Sequence, residues 1–530
     1  MNPDPPSMRR TSVDLALAEV TRFTSSFISQ LKRLLVDTTA YTLLAAVAPC
    51  LVVAYNASAY AQIGDRYYQE PIVATTYGPS SEYANLTAAP LKPSANLMYF
   101  MLPAGDYGLD DGIRVHLAFF AALSAVACRA LVLFRPTTFL GKVAPVLVAT
   151  LSAAFSVTMF QGAVDQATRD GFSSDESWAS INKGHLNTVL VLPMVYPVAS
   201  YFSSSVTSSS RSGCKVYFKF FCYSLLETAV MLVISRAILP VFFNPSTVVL
   251  TQMFLKFILQ SAFGLLFLEA AWQQSRWLSK DADVDNHDAT ILFAAAQASL
   301  SLYGRFMQGS ARTLGQAVLF ELAGTLSELM MADQLLRGKT PGKDNVDTSR
   351  TLIRRASGKK IVPEVAEEVP VAKDALESQR RHFCASALVV MSFTEGSSIV
   401  VTSLYYMLTR VSTGEPGSSA IPLSLSLMNL FIMLFGELVV TDGLVAYCAH
   451  HFRGRYSLDP AEEWAEFKKK KRLVFGILFI TSMMSIYVVV NFARIMCFTS
   501  ERAQDWVITT CPLPPENVTE LVRAWGEPVN

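Results

Sequence analysis

Nine stretches of this chain are long and apolar enough to cross a lipid bilayer, and no other property limits its fold so tightly. A spanning helix needs about 20 mostly apolar residues, because lipid offers no partner to a free backbone N–H or C=O. The stretches are Thr38–Ala61, Ile113–Phe134, Thr138–Phe160, Leu186–Phe202, Val216–Pro240, Ser246–Trp272, His382–Thr409, Ile421–Cys448 and Leu473–Cys497. The fourth is short, and Pro193 and Pro197 should kink or break it. Only 16% of residues are charged and 51% are hydrophobic, whereas soluble domains carry roughly 25% charged residues. The expected fold class is all-α: a polytopic transmembrane helix bundle of about nine spans, six before and three after residues 273–381.

Lysine and arginine in the short flanking loops set the orientation. Lys32 and Arg33, the group Arg129, Arg135 and Lys142, the group Arg211, Lys215 and Lys219, the 273–381 segment, and Lys468–Arg472 all fall on one side. The opposite loops are poor in basic residues. The N-terminus is therefore expected in the cytosol and the C-terminus outside it. Two Asn-x-Thr glycosylation sequons, at Asn85 and Asn517, fall on the expected outer side. Cys497 and Cys511 lie there too, where a disulfide can persist.

This divides the chain into five parts. Residues 1–37 form a cytosolic tail, in which Val13, Leu17, Val20, Phe27, Leu31 and Leu34 recur at the spacing of an amphipathic helix. Residues 38–272 form a six-span region with a Tyr- and Pro-rich outer loop at 62–112. Residues 273–381 form a cytosolic insert, 382–497 a three-span region, and 498–530 an extracytosolic tail. Within the insert, Leu314–Leu336 is helical in pattern. Glu321 and Glu328, seven apart, share one face, with Leu319, Leu322, Leu326 and Met330 roughly opposite. This stretch and Ala289–Gly304 read as two helices packed under the membrane, or as a hairpin that dips into it. A charged linker follows. Its Arg354-Arg355-Ala356-Ser357 run fits a basophilic kinase with Ser357 as acceptor, and 337–381 is where a cytosolic partner would bind.

Ionisable residues within spans carry the functional signal, because each costs at least ~2.5–3.5 kcal/mol in hydrocarbon unless paired or hydrated. They are Glu227, Lys256, Glu395 and Glu437, with Asp442 five residues after Glu437. Such groups can line a path that loads and releases protons or a cation. They can also be structural, with Glu227 and Lys256 as a buried ion pair joining spans five and six.

Other classes find little support. A net charge of +1 argues against nucleic acid as a partner. The eight cysteines show no zinc-type spacing, so neither a metal site nor a cofactor is expected. Metalloprotease, serine-hydrolase and P-loop motifs are missing from the sequence, and no enzyme is expected. The reading is an integral multi-pass protein of the plasma membrane or another secretory-pathway membrane, surrounded by lipid. Its expected role is a proton- or cation-coupled transporter or channel for a small solute. The alternative is a non-catalytic receptor or scaffold with a cytosolic regulatory insert.

Overall fold

The computed structural model describes residues 39–54, 110–169, 191–203 except 192, 213–243, 247–282, 287–336 except 312, 370–412, 423–445 except 442, and 460–498. The described residues are almost all helical, with no strand among them. In chain order the helices are α1 (Thr39–Ala54), α2 (Asp110–Phe134), α3 (Phe139–Arg169), α4 (193–203) and α5 (Gly213–Val233). A π-helical turn, Ile234–Ile238, leads from α5 into the short α6 (Leu239–Phe243). Then come α7 (Val249–Ala282), α8 (Thr290–Gly309), α9 (Leu314–Leu336), α10 (Pro370–Ser412) and α11 (Leu423–Phe435). A second π-helical turn, Gly436–Thr441, extends α11, and α12 (Pro460–Lys469) and α13 (Lys471–Phe498) follow.

Six of the nine expected spans appear as helices long and apolar enough to cross a membrane: Leu117–Phe134, Phe139–Thr158, Lys215–Val233, Val249–Leu278, Gln379–Leu408 and Lys471–Val490. The first and eighth appear as shorter apolar helices, Thr39–Ala54 and Ser424–Phe435. Only part of the fourth is described, and it stays helical through Pro197. The expected amphipathic helix, most of the outer loop and linker, and Asn85, Asn517, Ser357, Asp442 and Cys511 lie outside the described residues, as does the side chain of Cys497.

Residues 289–336, expected as two helices packed under the membrane or as a hairpin that dips into it, pack among the other helices of the bundle. Every residue of α8 is buried, and α8 is enclosed by α7, α10 and α13. Small side chains at Ala294, Ala295, Ala296, Ala298 and Gly304 let these neighbours approach closely. Tyr223 of α5 donates to the Leu292 carbonyl at 2.8 Å. Ahead of α8, Asp288 takes a hydrogen bond of 2.7 Å from Arg135 Nε. Arg135 itself sits just past the end of α2 with a left-handed φ of 46°.

Helix α9 is inside-out by the standard of a water-soluble protein. Glu321 and Glu328 point inward and are buried. Leu319, Leu322, Leu326 and Met330 on the other face are 39–48% exposed. An apolar exterior over a polar interior matches a lipid surrounding, where the outer face meets hydrocarbon. The same logic covers Leu147, Leu151 and Phe155 on α3, each more than half exposed.

Candidate functional site

Arg305 lies at the centre of the polar interior and is fully buried. Three side chains spaced by four along α8, Gln297, Ser301 and Arg305, share one face, and all three reach Glu395 on α10. Ser301 Oγ donates to Glu395 Oε1 at 2.5 Å, Gln297 Nε2 donates to the same oxygen at 3.2 Å, and Arg305 Nε donates to Oε2 at 3.3 Å. The guanidinium then reaches three further carboxylates. Nη1 donates to Glu321 at 3.0 Å, and Nη2 donates to Glu328 at 3.0 Å and to Glu437 at 2.7 Å. Thr441 Oγ1 holds the second Glu328 oxygen at 3.2 Å. One arginine thus ties together α8, α9, α10 and the π-helical turn after α11.

Lys256 of α7 is also fully buried and stands beside this cluster. Its Nζ donates to Gln308 Oε1 at 2.8 Å and to the Phe320 carbonyl at 2.7 Å. Glu321, Glu328 and Glu395 lie within its electrostatic reach. Gln308 is held in turn by Asn429 of α11, whose Nδ2 donates to the Gln308 carbonyl at 2.8 Å. Two cations therefore face four carboxylates, an excess of two negative charges when all are ionised.

The backbone makes room for these groups at two glycines. A Cβ on Gly436 would lie 2.0 Å from Glu321 Oε1, so only glycine lets that carboxylate close against the π-helical turn. A Cβ on Gly324, between Glu321 and Glu328 on α9, would lie 2.9 Å from Lys256 Nζ. Several buried acceptors still have no hydrogen-bond partner, among them Glu321 Oε1 and Gln297 Oε1, and both polar atoms of the Gln260 amide are unpartnered. Among the described residues the interior therefore holds spare acceptors together with an excess of negative charge when all groups are ionised.

Oxygens of Glu328, Glu395 and Glu437 lie within 4.8 Å of one another, close enough to bind one metal ion. The Arg305 guanidinium already bonds to all three, however, so a metal ion would meet its repulsion. A proton meets the same repulsion, but as a single charge that needs one carboxylate oxygen and no coordination shell.

Glu227 stands apart from this cluster. Both its oxygens accept from Nη1 of Arg129 on α2, at 2.7 and 2.9 Å, and the Arg129 guanidinium lies 4.5 Å from the centroid of the Tyr196 ring. The expected Glu227–Lys256 pair is therefore corrected: each residue has a different partner. Arg129, counted above among the loop charges, is a buried residue of α2. Of the residues singled out in the sequence, the fold brings Lys256, Glu395 and Glu437 together and leaves Glu227 at a second site. Arg305 was not singled out: it falls just past the apolar stretch Ala289–Gly304, in a segment read as packed under the membrane or dipping into it. The four-residue spacing of Gln297, Ser301 and Arg305 is the signal that marks it.

No known protein family, curated protein or solved structure matches this chain.

Proposed function

We propose that this chain is an integral multi-pass membrane carrier or channel that moves a small solute coupled to protons. The observation that carries this reading is the convergence of four glutamates on one fully buried arginine, inside a bundle with an apolar exterior. Charge in hydrocarbon persists only where it is paired or does work. Here the pairing is incomplete by two charges, and protons complete it. Glu437 is the group best placed to respond, because it sits in a π-helical turn, a form that concentrates at functional sites. Conversion of that turn to regular α-helix would shift the Glu437 side chain relative to Arg305 and alternately open and close the network.

In this reading α8 and α9 enter the membrane as a hairpin, which leaves the orientation drawn from the basic loops unchanged. Asn85 and Asn517 then face outward and can carry glycans. Ser357 and the rest of 337–381 face the cytosol, where a kinase and a partner protein can reach them. Cys497 and Cys511 are placed to form a disulfide outside.

The receptor or scaffold reading has one observation in its favour: every nitrogen of Arg305 is hydrogen-bonded, as in a network that only locks helices together. Uptake separates the two. Purified protein in liposomes is given an imposed pH gradient and a mixture of organic acids, amino acids, sugars and alkali cations, and the internal contents are measured. Gradient-driven accumulation of one class, lost in Glu437→Gln while the protein stays folded, is the expected result. No accumulation of any class by folded protein would leave the scaffold reading.

A further inference from the structure

The longest uninterrupted basic run of the chain, Lys468–Arg472, falls where α12 meets α13. Only Lys470 separates the two helices, and its N–H donates to the Phe467 carbonyl at 3.0 Å. The run is therefore displayed on a tight bend that packing holds in place. Trp464 and Phe467 of α12 are buried, with stacked rings 5.8 Å apart between centroids. Tyr41 of α1 meets Trp464 edge-on at 5.5 Å, and α12 packs on α10 and α13. Lys468 Nζ lies 5.8 Å from the centroid of the Trp464 ring.

Lys469, Lys471 and Arg472 are exposed. Arg472 donates to the Leu131 carbonyl near the end of α2, and Arg135 lies within its electrostatic reach. Two acids stand nearby in the fold or the chain: Asp288, bonded to Arg135, and Glu466 of α12. Basic residues at one end of spanning helices follow from the positive-inside rule alone. Two features here go beyond that rule. Lys471 and Arg472 occupy the first turn of α13, which holds no acid, and a cation at a helix N-terminus opposes the helix dipole. A bound anion offsets both charges. One turn along the same face from Lys471, Phe475 is 70% exposed and stacks on Phe479 at 6.5 Å. Exposed cations above an exposed aromatic face suit an amphiphile with an anionic head and an apolar chain.

We propose that the bend between α12 and α13 binds an anionic phospholipid, with the phosphate-bearing headgroup on Lys469, Lys471 and Arg472 and an acyl chain along Phe475. Clusters of roughly four to eight cations beside a spanning helix recognise such headgroups, each cation adding about fivefold in affinity. A headgroup with several phosphates therefore binds tighter than one with a single charge. In the orientation drawn from the basic loops this end lies in the cytosol, against the leaflet that carries the anionic lipids. The site is separate from the Arg305 network. It depends on the chain lying in a membrane and not on transport.

The test is binding of short-chain lipids to the full chain in a neutral detergent. The probes are dioctanoyl phosphatidylinositol bisphosphate, dioctanoyl phosphatidylserine, dioctanoyl phosphatidylcholine and the chain-free headgroup inositol trisphosphate. Affinity should fall in the order bisphosphate, serine, choline, and it should weaken as salt is raised. Lys469→Gln with Lys471→Gln, both exposed and so without effect on the unfolding temperature, should weaken bisphosphate binding at least ~tenfold. The control pair Lys215→Gln with Lys219→Gln removes equal charge from the start of α5 and should bind as the parent does. Phe475→Ala should weaken the lipid and leave inositol trisphosphate unchanged. Choline lipid bound as tightly as the bisphosphate, or equal losses in the two lysine pairs, would overturn the site. Inositol trisphosphate bound as tightly as the lipid would overturn the lipid as its occupant and leave a free phosphate. The readout is binding in detergent, so it stands whether or not liposomes show uptake.

Discussion

Replacing Arg305 by Met should destabilise the protein by about 3–5 kcal/mol, the cost of breaking a buried ion pair by removing one partner. The structure also says where that cost falls. Without Arg305, Glu395 keeps its bonds from Ser301 and Gln297, and Glu328 keeps Thr441. Glu321 keeps nothing: its Oε2 is bonded to Arg305, and its Oε1 has no partner. Glu321→Gln should therefore recover more of the lost stability in the Arg305→Met background than Glu395→Gln does, because it removes a carboxylate left with no donor, whereas Glu395 keeps two. Thermal and denaturant unfolding of the purified proteins in one detergent, followed by tryptophan fluorescence, measures this. An Arg305→Met protein as stable as the parent, or better rescue by Glu395→Gln than by Glu321→Gln, would refute the reasoning.

Gly436→Ala places a methyl group where Glu321 Oε1 sits, 2.0 Å away, and should cost about 1–3 kcal/mol in the same unfolding assay. Arg129→Met alone should lower expression and stability by leaving Glu227 unpaired, and Arg129→Met with Glu227→Leu should restore both. Lys256→Met should give no rescue of Glu227→Leu, since the two residues have different partners; recovery on thermal unfolding would contradict the pairing described. Single cysteines at positions 85 and 517 should react with an impermeant thiol reagent from outside intact cells, whereas one at 357 should not.

Where the sequence reading met the fold, it did so through local rules. A run of about 20 apolar residues has one stable form in lipid, so six long helices emerge where hydropathy places them. Isolated ionisable residues within such runs must find partners, and Glu227, Lys256, Glu395 and Glu437 all do. The partners themselves are a tertiary matter. Glu227 and Arg129 are separated by 98 residues, and Glu437 and Arg305 by 132, and no periodicity reports such distances. Helix α8 meets a related limit. Hydropathy marks Ala289–Gly304 as apolar but averages over all faces, so it does not separate a helix under the membrane from one enclosed by protein, whose glutamines, serines and arginine need no lipid-compatible face. In α9 the division was legible, with Glu321 and Glu328 on one side and Leu319, Leu322, Leu326 and Met330 on the other, but which side turns inward was not. The two carboxylates share a face because they face Arg305, not water.

In the proposed transport, protons enter and leave with the solute through the carboxylates around Arg305. The most direct test is the internal pH of liposomes that contain the protein and a trapped pH-sensitive dye, recorded as the transported solute is added outside with no imposed gradient. Internal acidification that follows solute entry, and is lost in Glu437→Gln with the fold intact, is the predicted result. Solute entry with no pH change, or an unchanged proton signal in Glu437→Gln, would contradict it.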